Sequence, residues 1–339
     1  MSPEKFLQRK LEREKKVETL SYTLESGVTV DLVSRIFRPE NNKNPHRAVI
    51  FLPGWAMDAY ARSIEKISET FANEYRANTF AITTRTKERG DPDAPTDLLY
   101  EEARAIKRYI QEQGLKDVII GGHSQGADKA IDVATLLQDD GNLTLKGLVL
   151  IDAVGLYDQG GFELAAKFTK NLSVDAPKSV IHSLGGSSLK RIHKIAPLLR
   201  ASSDVIAGIA KEVWRSKLKY WARFKNEVGE MARKNPHSHE VKVPVVVVSG
   251  MEDSLSDVER MVPDEKPSPE KRSKNFSGTR SRAREDYIQK TLFPQSPAVH
   301  VFVPRKLGVH ILPIFRPDSV ARVSLSTLEC FWRSKKDEG

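Results

Sequence analysis

The five residues Gly122-His123-Ser124-Gln125-Gly126 follow directly on the run Asp117-Val118-Ile119-Ile120-Gly121, and this junction constrains the chain more than any other feature. The run is short, apolar and rich in β-branched residues, as a buried parallel strand requires, and Ala127 to Leu137 beyond it reads as a helix. A serine held between such a strand and helix lies on a sharp turn with strained backbone. Its flanking positions must be small, because neighbouring backbone passes close by. Gly122 and Gly126 meet that demand. Gly-x-Ser-x-Gly is a cheap pattern by itself, since its residues are common. Its setting makes Ser124 a candidate nucleophile.

The rest of the chain alternates strands with helices. Thr19 to Arg38 switches between apolar and polar residues around Ser26-Gly27 and predicts an antiparallel hairpin. Ala48 to Leu52 predicts a buried strand ending in Pro53-Gly54-Trp55. A helix from about Ala59 to Tyr75 and a strand from Asn78 to Thr83 follow. Thr96 can cap the next helix, whose Leu98, Leu99, Ala103, Ile106 and Ile110 form one apolar stripe, and Gly114 can end it. Beyond the serine turn, Leu148 to Asp152, Val245 to Val248 and Val299 to Val303 predict further strands. The fold class expected is α/β, a mostly parallel central sheet flanked by helices with right-handed crossovers, its active site at the carboxyl ends of the strands.

Four segments are expected. Residues 1–18 read as a charged helical extension, and 19–155 with 241–333 as the α/β core. Residues 156–240 interrupt the alternation and are too long for a plain crossover, so they predict an inserted helical cap or lid. Its Trp214, Tyr220, Trp221 and Phe224 stand at spacings that suit a lid core or an acyl pocket. Residues 263–284 hold prolines, serines and charges with almost no apolar residues, as a mobile surface loop does.

Composition excludes several classes. No apolar stretch approaches the roughly 18 residues that span a bilayer. The first residues lack the apolar stretch of a secretory signal, and Cys330 is the only cysteine, so no intrachain disulfide forms. Both point to a reducing, cytoplasmic setting. The formal charge of +9 is concentrated. Residues 156–240 hold fifteen lysines and arginines against eight aspartates and glutamates, leaving the remainder nearly neutral. A basic cap steers an anionic substrate or acidic carrier, or simply solvates outer helix faces. No nucleic-acid module accompanies the charge. No Gly-x-Gly-x-x-Gly follows the first strands, so no dinucleotide cofactor is expected. His237-Ser238-His239 has no third ligand nearby, reads as a solvated linker, and predicts no metal.

In element order and in the Gly122 to Gly126 turn, residues from about Thr19 to Trp332 resemble the α/β-hydrolase fold superfamily of serine esterases and lipases. The resemblance implies nucleophile, acid and histidine in that sequence order, each on a loop after a strand. The acid is then expected after the valine strand, where Ser249-Gly250-Met251-Glu252-Asp253 matches the family's Gly-x-x-Asp turn, and the histidine at Gly308-Val309-His310. Asp253 competes with Glu252, Asp257 and with Asp152, where some members carry the acid. His123 reads as a packing residue beneath the turn.

In the implied chemistry His310 accepts the Ser124 proton and returns it to the leaving group, with Asp253 fixing the imidazole tautomer. The oxyanion is held by the backbone N–H groups of Gln125 and Trp55, each such donor contributing about 3 kcal/mol. Pro53-Gly54 stands where the family often has His-Gly, but the donated hydrogen belongs to the next residue. The expectation is a hydrolase of carboxylic esters or thioesters working through an acyl-Ser124, on a small-molecule or carrier-bound acyl substrate. The other class is an idle fold of this kind that binds or regulates through its basic cap. The oligomeric state does not follow from the sequence.

Overall fold

The computed structural model describes residues 17–39, 42, 44–54, 57–59, 61–86, 97–158, 160, 163–164, 167, 228–250, 278–279, 282–304 and 317–337. Trp55, Asp253 and His310 lie outside these residues, as do most of the 1–18 extension, most of the 156–240 insertion and the greater part of 263–284.

Among the described residues nine strands form the sheet: β1 (Val17–Thr23), β2 (Thr29–Phe37), β3 (Arg47–Leu52), β4 (Asn78–Thr86), β5 (Asp117–His123), β6 (Thr144–Ile151), β7 (Val245–Val248), β8 (Gly278–Thr279) and β9 (Val299–Pro304). Their order is β1-β2-β4-β3-β5-β6-β7-β9-β8. The pairs β1/β2, β2/β4 and β8/β9 run antiparallel, and every pair between β4 and β9 runs parallel. One continuous row across the sheet is Phe80, Ile50, Ile120, Leu148, Val245 and Val299. These residues share one apolar cluster, whereas Ala81, Phe51, Val149 and Val246, one residue further along, belong to the cluster on the other face. That is the period-2 alternation of a strand, with both faces buried as parallel sheets require.

Helices supply the cover. On the face of Ile50 and Ile120 lie α2 (Leu98–Glu112), α3 (Gln125–Leu137) and α4 (Arg282–Thr291), contributing Ile106, Tyr109, Ile131 and Ile288. On the opposite face lie α1 (Arg62–Tyr75) and α5 (Pro317–Asp337), contributing Ile67, Phe71, Val320 and Leu328. The α5 helix sits tightly on the sheet. A Cβ at Gly147 would lie 2.6 Å from the Leu328 side chain, and Trp332 Nε1 donates to the Lys146 carbonyl at 3.0 Å.

Local signals explain the element ends, with small departures from the sequence reading. The α2 helix is capped by Asp97, whose carboxylate accepts the Tyr100 N–H at 3.1 Å, rather than by Thr96. Both residues are helix-capping types, and position decides between them. The α3 helix starts at Gln125, two residues before Ala127, because the turn into it is made by a single residue. The strand β8 and the start of α4 fall within the 263–284 stretch, whose polar sequence carries no strand or helix periodicity.

Candidate active site

The site is built where β5 passes into α3. Ser124 holds φ 54° and ψ −122°, a conformation that side-chain-bearing residues rarely take and that matches the first central position of a type II′ turn. Backbone bonds lock it. Ser124 N–H donates to the Ile151 carbonyl of the neighbouring strand at 3.0 Å, and Ala127 N–H donates to the Ser124 carbonyl at 3.0 Å. The residue is only 5% exposed.

The two glycines of the turn are sterically required. A Cβ on Gly122 would collide with the carbonyl of Gly126, and a Cβ on Gly126 would collide with the carbonyls of Leu52 and Pro53 at the end of β3. The serine turn is thus clamped between its own helix and the adjacent strand. Gly54 is similarly close: a Cβ there would lie 2.9 Å from His123 Nδ1 and 3.0 Å from Ser124 Cβ. The Pro53-Gly54 end of β3 therefore stands directly against the serine turn, one residue before Trp55.

Gln125 is the first residue of α3, so its backbone N–H has no acceptor within the helix and faces the helix's positive end. Its side chain is 6% exposed, and Nε2 finds no hydrogen-bond partner among the described residues.

His123 is buried beneath the turn, as expected of a packing residue, with Nε2 3.9 Å from Asp152 Oδ2. Asp152 follows β6, is fully buried and adopts φ 44°. Its backbone N–H donates to the Val248 carbonyl at 2.7 Å, and its Oδ1 accepts the Gly250 N–H at 3.0 Å. The carboxylate of Asp152 therefore ties the end of β6 to the turn after β7, three residues before Asp253. Ser249 N–H reaches the Phe302 carbonyl of β9 at 3.0 Å. The strands β5, β6, β7 and β9 are thus neighbours in that order, with Ser124 at the end of β5, and Asp253 and His310 following β7 and β9 in the sequence. His300, within β9, is 3.5 Å from Glu285 on α4. His237, read from sequence as part of a solvated linker, is half-buried and stacks on Tyr100 with ring centroids 4.7 Å apart.

A second polar group lies behind the turn, and the sequence reading passed over it. Asp128 and Asp132, one turn apart on α3, are buried at 4% and 3% exposure. Asn235 Nδ2 donates to Asp128 Oδ1 at 2.7 Å and to Asp132 Oδ1 at 2.9 Å. Burial pushes the Asp128 carboxyl up to about 7, and burial with the adjacent Asp128 raises Asp132 well above the carboxylate range. On the same helix, Lys129 Nζ pairs with Glu102 Oε2 of α2 at 2.8 Å and with Thr84 Oγ1 of β4 at 2.8 Å. Aspartates four apart in a helix look like an ordinary solvated face; the signal that could have marked these is the small, apolar company of Ala127, Ala130, Ile131 and Ala134 around them.

No family model matches the sequence, and no curated protein resembles it significantly. Solved structures do match along nearly the whole chain. A probable hydrolytic enzyme from Pseudomonas aeruginosa PAO1 superposes with a TM-score of 0.54 at 14% identity, covering 91% of this chain and 93% of its own. A thermophilic esterase from Thermogutta terrifontis gives 0.52 at 14% identity, with 92% and 98% covered. The enol-lactonase from Burkholderia xenovorans LB400 gives 0.53 at 11% identity, with 91% and 100% covered. Together with the sheet order and the turn at Ser124, these likenesses establish that the chain has the α/β-hydrolase fold.

Proposed function

We propose that the protein is a serine hydrolase of carboxylic esters or thioesters. The observation that carries this reading is the backbone of Ser124, held at φ 54° on a turn that two glycines alone can surround. Strain of that kind, about 1–3 kcal/mol, persists where a side chain must be presented in a set direction. The esterase and lactonase among the similar structures support the choice of ester chemistry.

In this reading Ser124 Oγ attacks the acyl carbon as its proton passes to His310, oriented by Asp253. The carbonyl π electrons move to the oxygen, which the N–H groups of Gln125 and Trp55 receive. The C–O or C–S bond then breaks, and the leaving alkoxide or thiolate takes the proton from His310. Water attacks the acyl-Ser124 ester by the same relay, releasing a carboxylic acid and restoring the serine. The reaction requires no metal and no cofactor. The lysine and arginine surplus of residues 156–240 suits a substrate with an anionic leaving group, a carrier-bound acyl chain included. The lone Cys330 suits a reducing compartment, and among the described residues no helix is long and apolar enough to cross a membrane.

The test is intact-mass analysis after treatment with a fluorophosphonate. One adduct on the wild type, absent from Ser124→Ala and His310→Ala, is expected. A folded wild type that takes no adduct and turns over no ester or thioester would remove the hydrolase reading in favour of a binding module.

A further inference from the structure

Asn235 joins three segments of the chain. Its backbone N–H donates to the Gly155 carbonyl at 2.7 Å, at the beginning of the long insertion. Its side-chain oxygen accepts the His237 N–H at 2.8 Å, which fixes the amide with Nδ2 turned toward α3. That Nδ2 donates to both Asp128 and Asp132, and reaches the Asp128 carbonyl at 3.2 Å. Gly155, at φ 78°, lies directly on the Asp128 carboxyl, where a Cβ would come within 2.6 Å of Oδ1. Nearby, Lys234 N–H donates to Asp158 Oδ1 at 2.8 Å, tying the outgoing end of the insertion to its incoming end. Both ends are therefore docked on the nucleophile helix through one amide and two carboxyls.

The chemistry of that junction is unbalanced. An amide offers two N–H donors, and two carboxylates at helical spacing i, i+4 repel each other when both are charged. Among the described residues, the negative charges that act on the pair include Glu230 and Glu240 from the outgoing end and Asp97 at the cap of α2, and the same outgoing end also carries Arg233, Lys234, His237 and His239. Lys129, a cation that acts on Asp128, is itself engaged by Glu102 at 2.8 Å. Two ionised carboxylates are strongly disfavoured there at nine-tenths burial; a proton kept on one of them adds a donor and removes the repulsion.

We propose that Asp128, Asp132 and Asn235 form a proton-operated latch, which fastens residues 228–240 to the nucleophile helix while the carboxyl pair keeps a proton and loosens them once both carboxyls are ionised. Opening exposes the carboxyls to water, where they ionise at ordinary carboxylate values, so opening releases a proton. The opening equilibrium then rises about tenfold per pH unit from about pH 4 upward. It levels off above about pH 7, where the closed form has lost its proton as well. The latch does not depend on the catalytic reading, since it concerns only the docking of one segment.

Hydrogen exchange of the backbone amides of residues 228–240, corrected for the intrinsic pH dependence of exchange, tests this on the full chain. The wild type is expected to lose about a hundredfold in protection between about pH 5 and about pH 7, with amides of β5 and β6 far more protected than these at both pH values. The double variant Asp128→Asn/Asp132→Asn, which leaves no carboxyl at the junction to ionise, is expected to show no such pH dependence. Asn235→Ser is expected to exchange fast at every pH. A flat wild-type profile across this range overturns the latch, as does a double-variant profile that keeps the wild-type slope. Should the double variant not fold, the wild-type profile alone decides.

Discussion

Asp152 Oδ1 accepts the Gly250 N–H at 3.0 Å, so a buried carboxylate at the end of β6 holds the turn that leads from β7 to Asp253. Asp152→Ala leaves that N–H buried without its acceptor and is expected to cost about 1–3 kcal/mol in urea unfolding, whereas Asp152→Asn keeps an oxygen there and costs less. In ester turnover the alanine variant is expected to lower kcat more than it changes KM, because in the proposed mechanism Asp253 orients His310 rather than binding substrate.

Ser124 has a backbone that glycine takes without penalty. Ser124→Gly is expected to unfold about 1 kcal/mol later than Ser124→Ala, the relief of strain exceeding the entropy glycine adds to the unfolded chain. Thermal melting of the two variants side by side measures the difference. Equal stabilities would mean that the turn is not strained.

Gln125 carries a buried Nε2 with no partner among the described residues. Removing an unsatisfied donor without leaving a hole stabilises the fold, so Gln125→Met is expected to gain up to about 1 kcal/mol in urea unfolding. The oxyanion donor of the proposed mechanism is the backbone N–H, which the substitution retains. Fluorophosphonate labelling of Gln125→Met is therefore expected to proceed.

Global stability should fall with rising pH on the acid side of neutrality. Asp128 is raised from 3.8 to about 7. Its contribution is complete below about pH 4, where folded and unfolded chains both hold the proton. It declines as pH rises toward 7, because only the folded chain still binds it. The loss is of order 4 kcal/mol for one such group. Urea titrations at about pH 5 and about pH 7.5 should show about 2.5 kcal/mol of it, and Asp128→Asn should flatten the dependence.

Most of the sheet was legible because its strands are buried on both faces. Runs such as Val245 to Val248 have no other plausible place, and the turn at Ser124 is marked by glycines that contacts at Gly122 and Gly126 require. The strand β8, two residues long, is set by pairing with β9 rather than by its own sequence. The Asp128, Asp132 and Asn235 group was illegible for another reason. Asn235 stands more than a hundred residues from the two aspartates, and a buried aspartate is written with the same letter as a solvated one. Asp152 was read as an alternative acid, and its bond to Gly250 is a contact between strand ends that only the sheet order brings together.

The position of α5 bears on how the chain is made. This helix covers Val149, Val246 and Val248 together with α1, yet it is synthesised after all nine strands. A nascent chain still short of residue 317 carries a finished run of strands with a bare oily flank, which is the kind of surface that chaperones hold and that aggregates when they do not. Until Leu328 settles over Gly147, the ribosome is exporting a protein that cannot yet close on itself.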